Sequence, residues 1–207
     1  MIWYVHGANS SPKSFNFIKA SLPAHEHRDF SYDCETPLPK TIDAFVELLK
    51  GEDEPPHIIS HSLGGVIALA ASKRAEVGKI VTMSSPFGGS KVASLFRWIA
   101  ASRLLDDIHV HSSTMVGLRH QSFADSDIMS FVTTSGGVFE GVTEANDGVV
   151  TIASQTALKG PDYITIASNH FEVLLCADVA DKITDYLFDT PIFLSPSTFK
   201  LGLATLP

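Results

Sequence analysis

Short apolar runs alternate with amphipathic stretches along this chain. Ile2 to Val5 is an unbroken apolar run that stops at His6-Gly7, and it predicts a buried strand. Phe15 to Leu22 predicts a helix ended by Pro23. Asp29 to Cys34 predicts a second strand, with Pro37 and Pro39 marking the loop after it. In Thr41 to Lys50, Ile42, Phe45, Val46 and Leu49 recur at i, i+3, i+4 and i+7. That stripe predicts an amphipathic helix, with Thr41 as N-cap and Gly51 as its stop. The run His57-Ile58-Ile59-Ser60-His61 leads into Ser62, and an apolar helical segment follows through Val66, Ile67, Ala70 and Ala71. Further strands are predicted at Lys79 to Ser84, Ile128 to Thr133 and Asp162 to Ala167. A long helix then places Phe171, Leu174, Leu175, Val179 and Ile183 on one face.

Strands that alternate with helices imply an α/β protein, a mainly parallel sheet wrapped by helices. At 207 residues the whole chain, 1–207, reads as one domain with room for a sizeable core. Two regions break the alternation: an insert over about 87–121, and an apolar, almost uncharged tail over 189–207 that is expected to pack on the body or on another subunit. The net charge of −8 comes without any basic run, which argues against nucleic acid as a partner. No segment has the roughly 18 continuous apolar residues of a membrane helix. Met1 leads directly into the first apolar run without a basic leader, so the chain reads as cytoplasmic. Cys34 and Cys176 are far apart, lack metal-like spacing and read as free thiols.

The chemistry is concentrated at Ser60-His61-Ser62-Leu63-Gly64-Gly65. A strand that turns sharply into a helix around one serine exposes that hydroxyl, and the residues two before and two after it must be small. Ser60 and Gly64 meet that demand, although the usual first residue of the pattern is glycine. A serine hydroxyl needs a base in hydrogen-bond reach, and the base needs an orienting acid. In hydrolases of this type the chain order is Ser, then Asp or Glu, then His. Asp147, in Asn146-Asp147-Gly148, follows the strand at Ile128, and His170 follows the last strand. Loops at the carboxyl ends of parallel strands are where such sheets carry their sites. Ser62, Asp147 and His170 are therefore the candidate nucleophile, acid and base. Glu140 and Glu144 are rival acids on the same loop, and Asp33 comes too early in the chain. His109, His111 and His120 are rival bases in the insert, while His61 reads as structural. Backbone N–H groups of Leu63, after the nucleophile, and Ala8, in the loop after the first strand, are placed to form an oxyanion hole.

The motifs V-H-G-A-N-S-S, S-H-S-L-G-G, V-T-M-S-S-P-F-G-G-S and N-D-G-V-V, with N-H before the final helix, together resemble the α/β-hydrolase superfamily. The likeness is greatest to its small lipases and esterases, and it spans Val5 to His170. It implies a minimal form of that fold, with about six strands and a helical cap. V-T-M-S-S-P-F-G-G-S resembles the stretch where such lipases run from a strand into their lid. Just after it, Val92, Leu95, Phe96 and Ile99 form an amphipathic stripe. That stripe is either a surface helix docked on the core or a cap whose Leu95, Phe96 and Ile99 meet the substrate. The resemblance implies a serine hydrolase of carboxylic esters that acts on a small acyl ester or lipid. An acyltransferase or thioesterase with the same residues is the alternative, and a non-catalytic binding module on the same scaffold is a third reading. No metal or organic cofactor is implied: related lipases can bind calcium near the base, but no compact carboxylate cluster here argues for it.

Overall fold

The computed structural model describes residues 1–89, 107–137 and 144–188. Leu95, Phe96, Ile99, Glu140 and the 189–207 tail lie outside the described residues. Strands β1 (Ile2–Val5), β2 (His27–Phe30), β3 (His57–His61), β4 (Ile80–Met83), β5 (Ile128–Thr133) and β6 (Asp162–Ile166) form one sheet in the order β2-β1-β3-β4-β5-β6. Every neighbouring pair is parallel, so the sheet is of the kind and size expected.

Alternation along the strands sorts side chains onto two faces. Trp3, Val5, Ile58 and Ile80 pack with α2 (Leu38–Lys50) and α3 (Leu63–Ser72). Ile2, Tyr4, Ile59 and Val81 pack on the other face with Phe15 and Ile18, and with Val179 and Ile183 of the C-terminal helix. The three-layer arrangement follows from strands that are apolar on both sides. Helix α1 (Asn16–Ser21), preceded by one 3₁₀ turn at Pro12–Phe15, and the C-terminal helix share that second face. The described part of the insert carries α4 (Ser113–Arg119), whose Met115 and Leu118 join the core beside α2 and α3. Arg119 donates to the carbonyls of Gly88 and Val110, which fastens the two ends of the insert to each other.

Three elements differ from the sequence expectation. The second strand lies at His27–Phe30 rather than 29–34, and three of its four side chains are exposed. An edge strand of that kind has no apolar alternation to read. Tyr32 and Cys34 beyond it turn inward instead, and the Cys34 thiol accepts the Asn9 N–H at 3.3 Å. Helix α2 begins at Leu38 with Pro39 in its first turn, and Thr41 is buried inside it rather than capping it. Proline suits a first helical turn because its missing N–H would have no partner there. The long final helix is broken. A 3₁₀ turn, Glu172–Leu175, ends at Cys176 in extended conformation, and an α-helix restarts at Ala177–Phe188. The break shifts the phase of the stripe, so Phe171 and Leu175 face solvent instead of the core.

Candidate active site

Ser62 stands between the end of β3 and the start of α3, with φ 53° and ψ −122°. A non-glycine residue in that region carries roughly 1–3 kcal/mol of strain, which the surrounding structure must hold. Close packing of the start of α3 against the end of β1 and against Ser85 does so. A Cβ on Gly64 would lie 2.1 Å from the Val5 carbonyl oxygen, and one on Gly65 would lie 2.0 Å from Ser85 Oγ. Ser60, where the usual pattern has glycine, is fully buried and donates its hydroxyl to the Val81 carbonyl at 2.9 Å. Its extra polar atom is satisfied, so the departure from glycine is tolerated.

Three loops at the carboxyl edge of the sheet then bring their side chains together. Ser62 Oγ is 3.0 Å from His170 Nε2, and His170 Nδ1 is 2.8 Å from Asp147 Oδ2. Asn169 shapes the turn beside His170 by accepting the N–H groups of Phe171 and Glu172 on its side-chain oxygen at 3.0 and 2.9 Å. The His170 N–H donates to the Asp147 carbonyl at 3.0 Å, so the candidate base and acid are linked through backbone as well as side chain.

Asp147 is fully buried, and both carboxylate oxygens are occupied. Oδ1 accepts the N–H groups of Val149 and Val150 at 2.9 and 2.7 Å. Oδ2 accepts His170, the Thr133 hydroxyl at 2.6 Å and the Gln155 amide at 3.3 Å. Since the Thr133 proton goes to Asp147, Ser84 Oγ must donate to Thr133 at 2.8 Å. Burial alone would raise the Asp147 pKa. The bond and charge of His170, then the Thr133 hydroxyl and the Val150 N–H, outweigh it and hold the pKa below the ordinary carboxylate value. Gln155 lies on the short helix α5 (Ile152–Gln155) and clamps β5 by accepting the Thr133 N–H at 2.9 Å and donating to the Thr133 carbonyl at 3.0 Å.

The loop after β1 is braced from behind. His6 is buried and stacks on Tyr32, with ring centroids 4.4 Å apart. His6 Nδ1 donates to the Gly7 carbonyl at 2.8 Å, and Tyr32 donates its hydroxyl to the His6 carbonyl at 2.8 Å. Ala8, Ser62, His170, Phe171, Leu174 and Leu175 border a common cleft of about 260 Å³. Leu63 is the first residue of α3, where a backbone N–H has no acceptor within the helix. A larger groove of about 660 Å³ opens by Pro55, Gly78 and Asp127 at the opposite edge of the sheet. Three of its polar side chains are engaged elsewhere: Lys73 with the Ser122 carbonyl, Arg74 with Asp43, and Asp127 with the Tyr186 hydroxyl.

The rival residues are elsewhere. Glu144 is exposed, and its backbone carbonyl accepts from Asn146. Asp33 is exposed and caps the N–H groups of Glu35 and Thr36. His109, His111 and His120 are exposed. His61 is buried and gives its Nε2–H to the His170 carbonyl at 2.8 Å. Thr133, Gln155, His6 and Tyr32 were not singled out from the sequence. Thr133, as the last residue of β5, was the most accessible of them, while nothing local marks Gln155 as a buried clamp.

A sequence profile described as the Alpha/beta hydrolase family matches residues 4–191. No curated protein matches the chain in sequence. Among solved structures, the mature form of the Bacillus licheniformis lipase BlEst2 is similar, with a TM-score of 0.66 at 17% identity over 88% of this chain and 89% of that one. Aspergillus fumigatus lipase B gives 0.67 at 14% identity, over 89% of this chain and 51% of its own. The NocB thioesterase domain from the nocardicin cluster gives 0.59 at 16% identity, over 90% and 92%. At such identities the likeness is one of fold.

Proposed function

The chain belongs to the alpha/beta hydrolase family, and from that premise we propose that it is a serine hydrolase of carboxylic esters that works through an acyl-enzyme on Ser62. The observation that carries this reading is the continuous run of hydrogen bonds from Ser62 Oγ through His170 to a buried, multiply bonded Asp147. His170 Nε2 takes the Ser62 proton as Oγ attacks the acyl carbonyl. Asp147 fixes the ring so that Nδ1 keeps its proton and Nε2 faces the serine, and its charge stabilises the imidazolium that forms. The N–H groups of Leu63 and Ala8 receive the oxyanion. His170 then gives its proton to the departing alcohol oxygen. It next activates a water that releases the acid and restores Ser62. Every step draws on side chains and backbone of this chain, and the substrate is a small acyl ester or lipid.

The lipases and the thioesterase that share the fold are compatible with acyl transfer of this type. A p-nitrophenyl ester series on the wild type and on Ser62→Ala tests the reading. Turnover in the wild type, lost by a factor on the order of 10⁴ in the variant, is expected. Wild-type turnover that survives in Ser62→Ala would remove Ser62 from the mechanism.

A further inference from the structure

The turn after His170 leaves two large apolar side chains partly exposed at the Ser62 cleft. Phe171 is 48% exposed and Leu175 65% exposed, while Val173 and Leu174 of the same turn are buried. Among the described residues, the other exposed large hydrophobics are Met1, at the terminus, and Leu48, on the outer face of α2. Neither of those borders the Ser62 cleft, whereas Phe171 and Leu175 both do. The exposure arises from a specific local structure, the 3₁₀ turn and the extended Cys176, without which the pair would continue a buried stripe. The exposed part of such surface gains free energy when an apolar part of a substrate lies against it.

The reaction geometry says which group that is. The Phe171 ring stands edge-on to the His170 imidazole, with centroids 5.1 Å apart and an interplanar angle of 85°. His170 must protonate the leaving oxygen, so the alcohol departs within hydrogen-bond reach of that imidazole. In the proposed mechanism the oxyanion goes to the N–H groups of Leu63 and Ala8, and the leaving oxygen to His170. The substituent on the leaving oxygen therefore meets Phe171 first and Leu175 beyond it.

The geometry points to Phe171 and Leu175 as the wall that selects the alcohol part of the substrate, favouring esters of alkyl alcohols over small polar ones. This rests on the ester-hydrolase reading above. The pair borders the same cleft of about 260 Å³ that Ser62 and His170 line.

Two ester series separate this wall from an acyl site. Alkyl butyrates from methyl to hexyl vary the alcohol, and methyl alkanoates from acetate to octanoate vary the acyl chain. Each is followed by acid release on the wild type, Phe171→Ser, Leu175→Ser and the double variant. The slope of log kcat/KM on chain length is read within each protein, so a uniform loss transmitted through His170 drops out. In the wild type the alcohol series should rise roughly two- to fourfold per methylene. That slope should flatten in the double variant and fall part-way in Leu175→Ser, while the acyl slope keeps its wild-type value. An unchanged alcohol slope in the double variant overturns the proposal, as does a collapse of the acyl slope instead. A lower melting temperature with both slopes unchanged also overturns it and makes the pair a packing element. A wild type inert toward every ester in both series removes the ester reading and this wall with it.

Discussion

His61 gives its Nε2–H to the backbone carbonyl of His170 at 2.8 Å, with the two rings 4.9 Å apart. The bond ties the end of β3 to the loop after β6, so the residue next to Ser62 holds the backbone of His170. Burial, with His170 adding a smaller like-charge effect, lowers the His61 pKa to about 3, so the ring is neutral. Its Nδ1 has no hydrogen-bond partner among the described residues. A buried acceptor left that way costs roughly 1–3 kcal/mol. The gain on the other side is a fixed position for the loop that carries His170.

His61→Leu should leave the His170 carbonyl without its donor, lower stability by roughly 1–3 kcal/mol and reduce kcat/KM. His61→Gln, which keeps an N–H of comparable reach, should recover much of both. Denaturant unfolding and ester kinetics on the two variants check this. Equal losses in Leu and Gln would mean that the donor itself is unimportant.

Stability should fall as the pH drops from about 6.5 to about 3. His61 stays neutral in the fold down to about pH 3, whereas in the unfolded chain it takes up a proton below about 6.5. The unfolded state therefore binds the extra proton in this window, and acid favours it. His6 and His57 are also lowered, mainly by desolvation, and act with the same sign. His61→Gln should reduce the slope of unfolding free energy against pH without abolishing it. An unchanged slope would show that His61 is not held neutral.

Asp147 acts in a lower window. Its folded pKa is depressed, so its stabilisation is present above the unfolded value of about 3.9 and is lost as pH falls through the folded one. Asp147→Asn should cut kcat by up to about 10⁴ and remove this acid-range contribution. Thr133→Val deletes one donor to Oδ2 and should cost roughly 1.5–3 kcal/mol of stability, with a smaller loss of rate. Glu144→Gln should be close to neutral. A larger loss in Glu144→Gln than in Asp147→Asn would reassign the acid.

Gly64→Ala should be more damaging than Ser60→Gly. The added carbon would lie 2.1 Å from the Val5 carbonyl, a backbone atom that cannot swing aside. Ser60→Gly removes only the bond to Val81, worth about 1 kcal/mol. Thermal unfolding of both variants tests the ranking, and a Gly64→Ala protein as stable as wild type would mean that strand and helix separate easily.

Strands β1, β3, β4 and β5 are legible as largely apolar runs bounded by turn residues, and β6 because Tyr163, Ile164, Thr165 and Ile166 are aromatic or β-branched. Strand β2 was displaced in the reading because His27, Arg28 and Asp29 face solvent at the sheet edge. Ser62, Asp147 and His170 were readable as residue types in the right order at the ends of successive strands. What supports them was not readable, because it depends on tertiary contacts between distant segments. Gln155 reaches Thr133 across 22 residues, and His61 reaches His170 across 109. The exposure of Phe171 and Leu175 is hidden in the sequence for a different reason: the helical period runs on through what is a turn of three residues per repeat followed by an extended Cys176.

The central claim is that Ser62 carries the acyl group, and a fluorophosphonate probe followed by peptide mass mapping tests it most directly. One adduct per chain is predicted, on the peptide containing Ser62 and localised to that residue. It should be absent in Ser62→Ala and strongly slowed in His170→Ala. Labelling of Ser60 or of another serine, or equal labelling in Ser62→Ala, would contradict the account.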